Sequence, residues 1–300
     1  MNCYLCTISF RHELAGFGDL IRFAKDTGYQ GIELWGVHAR SMAQASRERA
    51  AALVEELYAC GLSINMISDY LRVAEGGPTQ EAVRCAEEAD RKELDRKLDE
   101  WLQLGLLFRT RHIRVFAGGK ASAAAPEEYK ERTCRMLQRA AEGLMKEDMV
   151  LVVETHPDTL ADTLESTEWL LQKVDMPNMR VNLDILHLWE SGTPPLEAYD
   201  ALQDDVYHLH LKNITAASYL PVFEPNNVYS PFGSRQGIVA LGEGAISYKP
   251  LLRHLSELQV GHGLSMEWFG ERPFYYLKEE REWLRELERT PAYDGMRASE

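Results

Sequence analysis

The sequence predicts an α/β fold, a closed (β/α)8 barrel, on three observations. Short apolar, β-branched runs alternate with longer segments of helical period, the pattern of a parallel sheet covered by helices, and eight such units follow one another along the chain. Its 300 residues, 45% of them hydrophobic, suffice for one large core. No Pro-, Gly- and Ser-rich linker divides them, so residues 1–300 read as a single domain. The glycine-rich first turn that marks a doubly wound sheet is missing.

The strands are expected at residues 4–9, 31–35, 62–67, 113–116, 149–154, 179–184, 206–211 and 264–268. Helical period is clearest at 41–59, 81–107, 126–146, 160–174, 246–258 and 274–287. One connection stands apart. After the seventh strand come about thirty residues, NITAASYLPVFEPNNVYSPFGSRQGIVALGEG, where two to six are usual. Their aromatics and prolines are unlike a solvated linker, and the segment is expected to be a lid or substrate wall, with an oligomer contact as the alternative.

Composition and motifs exclude several functions. A formal net charge of −14 disfavours nucleic acid and anionic membrane surfaces, both of which require excess Lys and Arg, but not a small anionic substrate held by a few focused cations. The N-terminus has no signal-peptide pattern and no run of 18 apolar residues occurs, so the protein reads as cytoplasmic. Five cysteines fit reduced thiols. Cys3 and Cys6 form a C-x-x-C on a strand, where they point to opposite faces, and no second pair completes a zinc site. Gly118-Gly119-Lys120 lacks the rest of a phosphate-binding loop, and His12-Glu13 is followed by Gly16 where a second metal-binding histidine would stand. The last dozen residues read as a polar tail.

The informative residues are the polar ones where strands end, because a barrel of this kind carries its chemistry at the C-terminal strand ends. On the fifth strand Val150, Val152, Glu154 and His156 share one face; the sixth ends in Asn182 and Asp184, with His187 three residues on. The seventh aligns Val206, His208, His210 and Lys212, and the eighth carries Glu267. Glu154, Asp184, His210 and Glu267 would converge at one mouth, where mutual repulsion among the carboxylates calls for a cation. Mixed carboxylate and imidazole ligands suit a divalent metal, Mn2+ or Mg2+ foremost, with Zn2+ or Co2+ as alternatives. Asp184 alone could equally be a helix N-cap. His208, one pleat deeper, reads as a hydrogen-bonded core histidine.

The chain resembles the xylose-isomerase-like TIM barrels in GIELWG on strand two, Asp-x-x-His at Asp184 and His187, His-x-Lys at His210 and Lys212, and GEGAISY near the seventh helix. Within that superfamily, CTISFRH, MISDYL, ETHPDTLADTL, LDILHLWESG, HLHLKN, YLPVFEPNNVY and MEWFG resemble the bacterial 3-dehydroshikimate dehydratases of petrobactin siderophore biosynthesis, and these blocks span nearly the whole chain. The resemblance implies loss of water from 3-dehydroshikimate to give protocatechuate, through an enolate stabilised by the metal. It implies His156 as general base, Lys212 as stabiliser of the developing oxyanion and His187 as acid, the order of the two histidines being left open. Arg114 would take the substrate carboxylate, and Tyr70 and Tyr219 would close the pocket. Two alternatives remain: a ketose epimerase or sugar isomerase with the same metal set, and a catalytically inactive ligand-binding barrel. A homo-oligomer is compatible with the sequence.

Overall fold

The computed structural model describes residues 1–77, 79–258 and 261–289; the polar tail expected at the end of the chain lies outside them. Eight parallel strands close into a barrel: β1 Asn2–Cys6, β2 Gly31–Trp35, β3 Ser63–Ser68, β4 His112–Phe116, β5 Val150–Glu154, β6 Met179–Asp184, β7 Val206–Leu211 and β8 Gly263–Met266. Each pairs with its neighbour in sequence, and β8 pairs with β1 to shut the ring. Outward residues such as Ile32, Leu34, Leu151, Val153, Leu209 and Leu211 are fully buried under the helices, the usual consequence of a sheet covered on its outer face.

Around the barrel run α1 Phe17–Thr27, α2 Gly36–Ala45, α3 Arg47–Ala59, α4 Gln80–Phe108, α5 Glu127–Met145, α6 Leu164–Val174, α7 Ile185–Glu190, α8 Pro195–Leu202, a four-residue α9 at Pro225–Val228, α10 Lys249–Leu258 and α11 Pro273–Arg289. None of the helices among the described residues is long and apolar enough to cross a membrane. Several boundaries depart from the sequence reading for local reasons. The helix expected at 41–59 starts earlier and breaks at Ser46, whose extended backbone and Oγ, accepting from Arg49 N at 3.2 Å, cap a new helix. Strand one stops at Cys6, because Thr7 and Ser9 turn into a 3-10 segment and accept from the backbone N–H groups of Trp35 (2.8 Å) and Trp268 (3.0 Å). The sixth helix begins at Leu164 rather than 160, where Thr163 and Ser166 form a reciprocal capping box. Helices α7 and α8, of six and eight residues, carry too short an apolar stripe to stand out by period.

The long connection is folded. Asn213–Ile214 pairs antiparallel with Ile238–Val239 at its neck, and the Asn213 amide donates to the carbonyls of Leu241 (2.8 Å) and Ile246 (2.9 Å). Arg11 pins the excursion, donating to the Val228 carbonyl at 2.7 Å and the Phe269 carbonyl at 3.2 Å. The segment is therefore a fixed wall over one end of the barrel.

Its base leans on a buried acid. Glu280 of α11 accepts from Leu241 N at 3.0 Å, and burial, reinforced by Glu243, pushes its carboxyl up to about 8. A raised folded-state value means the proton is held more tightly when folded. The associated stability is present below the ordinary carboxyl value of 4.5 and is lost as pH rises through about 8. Glu280→Gln keeps the acceptor oxygen and removes the titration. At pH 9 the variant is expected to be more stable than the wild type by on the order of 3–5 kcal/mol, and near-equal at pH 4.5, in urea denaturation.

Candidate active site

The barrel interior is polar where many barrels are aliphatic. Deepest lies His208, its Nδ1 at 3.0 Å from Asn65 Nδ2 and its Nε2 at 2.8 Å from Ser265 Oγ, the satisfied core histidine expected of it. Above it Glu33, Arg114, Asn182 and His210 point inward, and Glu154, Asp184, Lys212 and Glu267 ring the C-terminal mouth, all of them buried. Period-two alternation along β5, β6 and β7 puts these side chains on the inner face.

Three of the four sequence-predicted ligands come together, and the fourth adjoins them through His210. Glu154, Asp184 and His210 offer ligand atoms within 4.8 Å of one another, and Glu267 Oε1 stands 3.4 Å from His210 Nδ1. Asp184 is placed for both roles open to it. Its Oδ1 caps α7, accepting from the N–H groups of Leu186 (3.1 Å) and His187 (3.4 Å), while Oδ2 faces the cluster. Lys212 Nζ donates to Asp184 Oδ2 at 2.6 Å and Glu267 Oε2 at 2.8 Å. Arg114 Nε lies 2.8 Å from Glu154 Oε2, and Asn182 donates to the same oxygen at 2.8 Å.

Two observations say that this cluster fits a divalent cation. First, His210 Nε2 points at the Glu33 carboxylate, 2.8 Å away. Nδ1, fully buried, has no hydrogen-bond partner among the described residues and looks toward Glu154 (3.5 Å), Asp184 (3.9 Å) and Glu267 (3.4 Å). A carboxylate that holds the far nitrogen of an imidazole is the arrangement that aims the near one at a metal. Second, four buried carboxylates, Glu33, Glu154, Asp184 and Glu267, face two buried cations, Arg114 and Lys212. With neutral histidines, two negative charges are left over, the charge of one divalent ion. Without a cation the carboxylates divide: burial raises Glu154 and Asp184, whereas Glu33 and Glu267 are lowered against burial by His210, whose imidazole Glu267, Glu33 and Glu154 raise in its place.

Beside the cluster lies a cavity of about 730 Å3 lined by His156, His187, Lys212, Arg114, Tyr70 and further aromatics, among them Trp35, Phe116, Tyr229 and Phe269. His156 Nδ1 sits 2.7 Å from the Pro157 carbonyl. A carbonyl only accepts, so Nδ1 carries the proton and Nε2 presents a bare lone pair. Burial, then Lys212, lowers this imidazole to about 4, keeping it neutral at pH 7. His187 packs against it, ring centroids 4.5 Å apart, and its Nδ1 faces Glu190 Oε1 at 2.6 Å.

The remaining predicted residues divide. Tyr70 lines the cavity, its hydroxyl 2.6 Å from that of Tyr229 and accepting from Trp35 Nε1 at 3.2 Å. Tyr219 is not among the lining residues; it packs on Gly237 (φ +87°), where a Cβ would lie 2.5 Å from its ring. Tyr229, ten residues further along the same loop, holds the position that the sequence reading gave to Tyr219. Its ring stacks parallel to Trp35 with centroids 6.1 Å apart. Arg114 lies over Phe116 (4.9 Å) and near Tyr70 (5.9 Å), with Nη1 lacking a hydrogen-bond partner among the described residues. Glu33 and Glu190 escaped the sequence reading. Glu33 was visible as the one charge inside GIELW, and Glu190 as the next residue in a run of three-residue spacings after Asp184 and His187.

Comparison with known proteins agrees with this fold. The family model described as xylose isomerase-like TIM barrel matches residues 21–287. Over 280 residues, 93% of this chain and 95% of the relative, the sequence is 39% identical to a 3-dehydroshikimate dehydratase of Bacillus anthracis. The crystal structure of the probable 3-DHS dehydratase AsbF involved in petrobactin synthesis in Bacillus anthracis superposes with a TM-score of 0.85 at 38% identity, covering 95% of this chain and 99% of that one. The IolI protein, solved with a zinc atom bound, shares the fold at a TM-score of 0.70 and 13% identity over 96% of each chain. The protein belongs to the xylose isomerase-like TIM barrel family.

Proposed function

We propose that this enzyme is a hydro-lyase, a 3-dehydroshikimate dehydratase that forms protocatechuate. The observation that carries the reading is the 39% identity, over 95% of its length, to the dehydratase of Bacillus anthracis. The geometry supports it. The substrate is a small anion, and Arg114 Nη1 supplies an unpartnered cationic donor to its carboxylate. Tyr70, Phe116 and Tyr229 form aromatic walls suited to a six-membered ring that flattens as it becomes aromatic.

Glu154, Asp184, Glu267 and His210 Nδ1 would hold a divalent cation, Mn2+ or Mg2+ by the preponderance of oxygen donors. When bound, such an ion supplies Lewis acidity toward the substrate oxygens. The protein's own groups do the rest. His156 Nε2, bare and neutral, takes the proton from C4 beside the ketone. Lys212, held by Asp184 and Glu267 and kept protonated by them against the pull of burial, offers positive charge to the oxygen that becomes negative. His187 protonates the departing C5 hydroxyl, and loss of a C6 proton then completes the aromatic ring.

Glu33, which fixes His210 without reaching the cation, gives a specific test of the ligand set. Glu33→Gln is expected to weaken Mn2+ binding about 10–100-fold in calorimetric titration. For the reaction itself, purified enzyme supplied with Mn2+ or Mg2+ is offered 3-dehydroshikimate and, in parallel, a panel of ketohexoses. Growth of catechol absorbance with the first alone is the expected result; sugar turnover without aromatic product would replace the dehydratase reading by an epimerase or isomerase.

A further inference from the structure

The two histidines of the cavity are built differently at their far nitrogens. His156 Nδ1 meets a backbone carbonyl, a group that can only accept, so no proton reaches the ring from that side. His187 Nδ1 meets the carboxyl of Glu190 at 2.6 Å, a group that can donate as well as accept. Asp184, His187 and Glu190 follow one another at spacings of three, so all three lie along one face of α7. The His187 ring bridges the outer two, with Nε2 at 3.7 Å from Asp184 Oδ2. Its side chain is 3% exposed while that of Glu190 is 20% exposed, so the acid is the point at which this chain of groups meets solvent.

We propose that Glu190 positions His187 as the acid of the reaction and carries the proton that His187 delivers, an inference that rests on the dehydratase reading above. As the C4–H bond breaks, its electron pair passes to the C3 ketone as an enolate and the proton goes to His156 Nε2; the enolate then returns the pair to form the C4=C5 double bond. The C5–O bond breaks with its pair on oxygen, which takes the proton from His187 Nε2 and leaves as water. His187 Nδ1 takes the proton of the Glu190 carboxyl. The imidazole changes tautomer and stays neutral, and Glu190 ends as a carboxylate that solvent reprotonates. This assigns the acid to His187 and the base to His156.

The surroundings of Glu190 suit a proton carrier. Asp184, Asp158, Lys212 and His187 face it. Burial, and next the Asp184 carboxylate, push its carboxyl up to about 7, with Lys212 opposing. At 2.6 Å, Glu190 Oε1 and His187 Nδ1 are close enough to share one proton.

The test compares the Mn2+-loaded wild type with Glu190→Gln and Glu190→Asp in 3-dehydroshikimate turnover from pH 5.5 to 9. The wild-type kcat is expected to fall on the alkaline side of about pH 7. Glu190→Gln is expected to lose about 30-fold or more in kcat, with KM within about twofold, bound metal unchanged and the alkaline fall gone. Glu190→Asp, which keeps an acid one methylene shorter, recovers part of the loss. A Glu190→Gln enzyme with near-wild-type kcat, or one that retains the alkaline fall, overturns the proposal, as does equal loss in both variants. Absence of wild-type turnover defeats the dehydratase reading and this one with it, whereas turnover with an intact alkaline fall in Glu190→Gln defeats this one alone.

Discussion

His156→Ala is expected to lower kcat by about 10³- to 10⁴-fold while the protein still binds one divalent ion per chain. The expectation follows from where the ring sits. His156 lies two residues beyond Glu154, on the loop that leaves β5, and packs on Phe116 (4.4 Å) and His187 (4.5 Å) between ring centroids. It makes no hydrogen bond to Glu154, Asp184, His210 or Glu267, so its removal leaves the cation site standing. What disappears is the bare Nε2, held neutral by burial and presented by the Pro157 carbonyl. Because the imidazole is lowered to about 4, kcat/KM should stay on its plateau down to about pH 5 and fall only as the ring is protonated in the free enzyme. Steady-state kinetics with parallel metal analysis checks the prediction. Loss of the metal together with activity would reassign His156 to the ligand set.

Asp184→Asn is the second change with a large effect, and its size depends on the metal. Asn caps a helix about as well as Asp, so the bonds from Leu186 and His187 to Oδ1 survive, and only the charge at Oδ2 is lost. Without metal, Oδ2 is the buried partner of Lys212 Nζ at 2.6 Å, and an amide that turns its NH2 toward the ammonium loses that ion pair. The metal-free variant is therefore expected to be less stable than the metal-free wild type. With Mn2+ at about a thousand times its Kd, the wild type gains about 4 kcal/mol by mass action, while the variant, its affinity reduced by two or more orders of magnitude, gains little. Thermal unfolding with and without Mn2+ separates the two contributions. A variant that lost stability equally in both conditions would mean that Asp184 serves α7 and not a cation.

Much of this architecture was legible in the chain because a barrel writes its period plainly. Strands β2, β6 and β7 fall where apolar runs predict them, since each is bounded by a turn or a charge. Boundaries were lost where one hydroxyl decides the matter, as at Ser46, Thr163, Thr7 and Ser9; the energy involved is about 1 kcal/mol, too little to show in a pattern of hydrophobicity. The site divides the same way. Glu154, Asp184, His210 and Glu267 declare themselves by interrupting apolar strands at their C-terminal ends. Glu33 interrupts its strand equally, yet its meaning depends on a histidine 177 residues away. Tyr229 and Tyr219 could not be separated in advance, because the path of an irregular loop follows from the Asn213 amide and the Arg11 anchor rather than from any periodicity.

One divalent ion is expected among Glu154, Asp184, His210 and Glu267, and anomalous scattering from crystals soaked in Mn2+ would locate it. A single strong peak is expected about 2–2.3 Å from His210 Nδ1 and from an oxygen of each of the three carboxylates. No peak in the barrel mouth, or a peak whose ligands exclude His210 Nδ1, would contradict it.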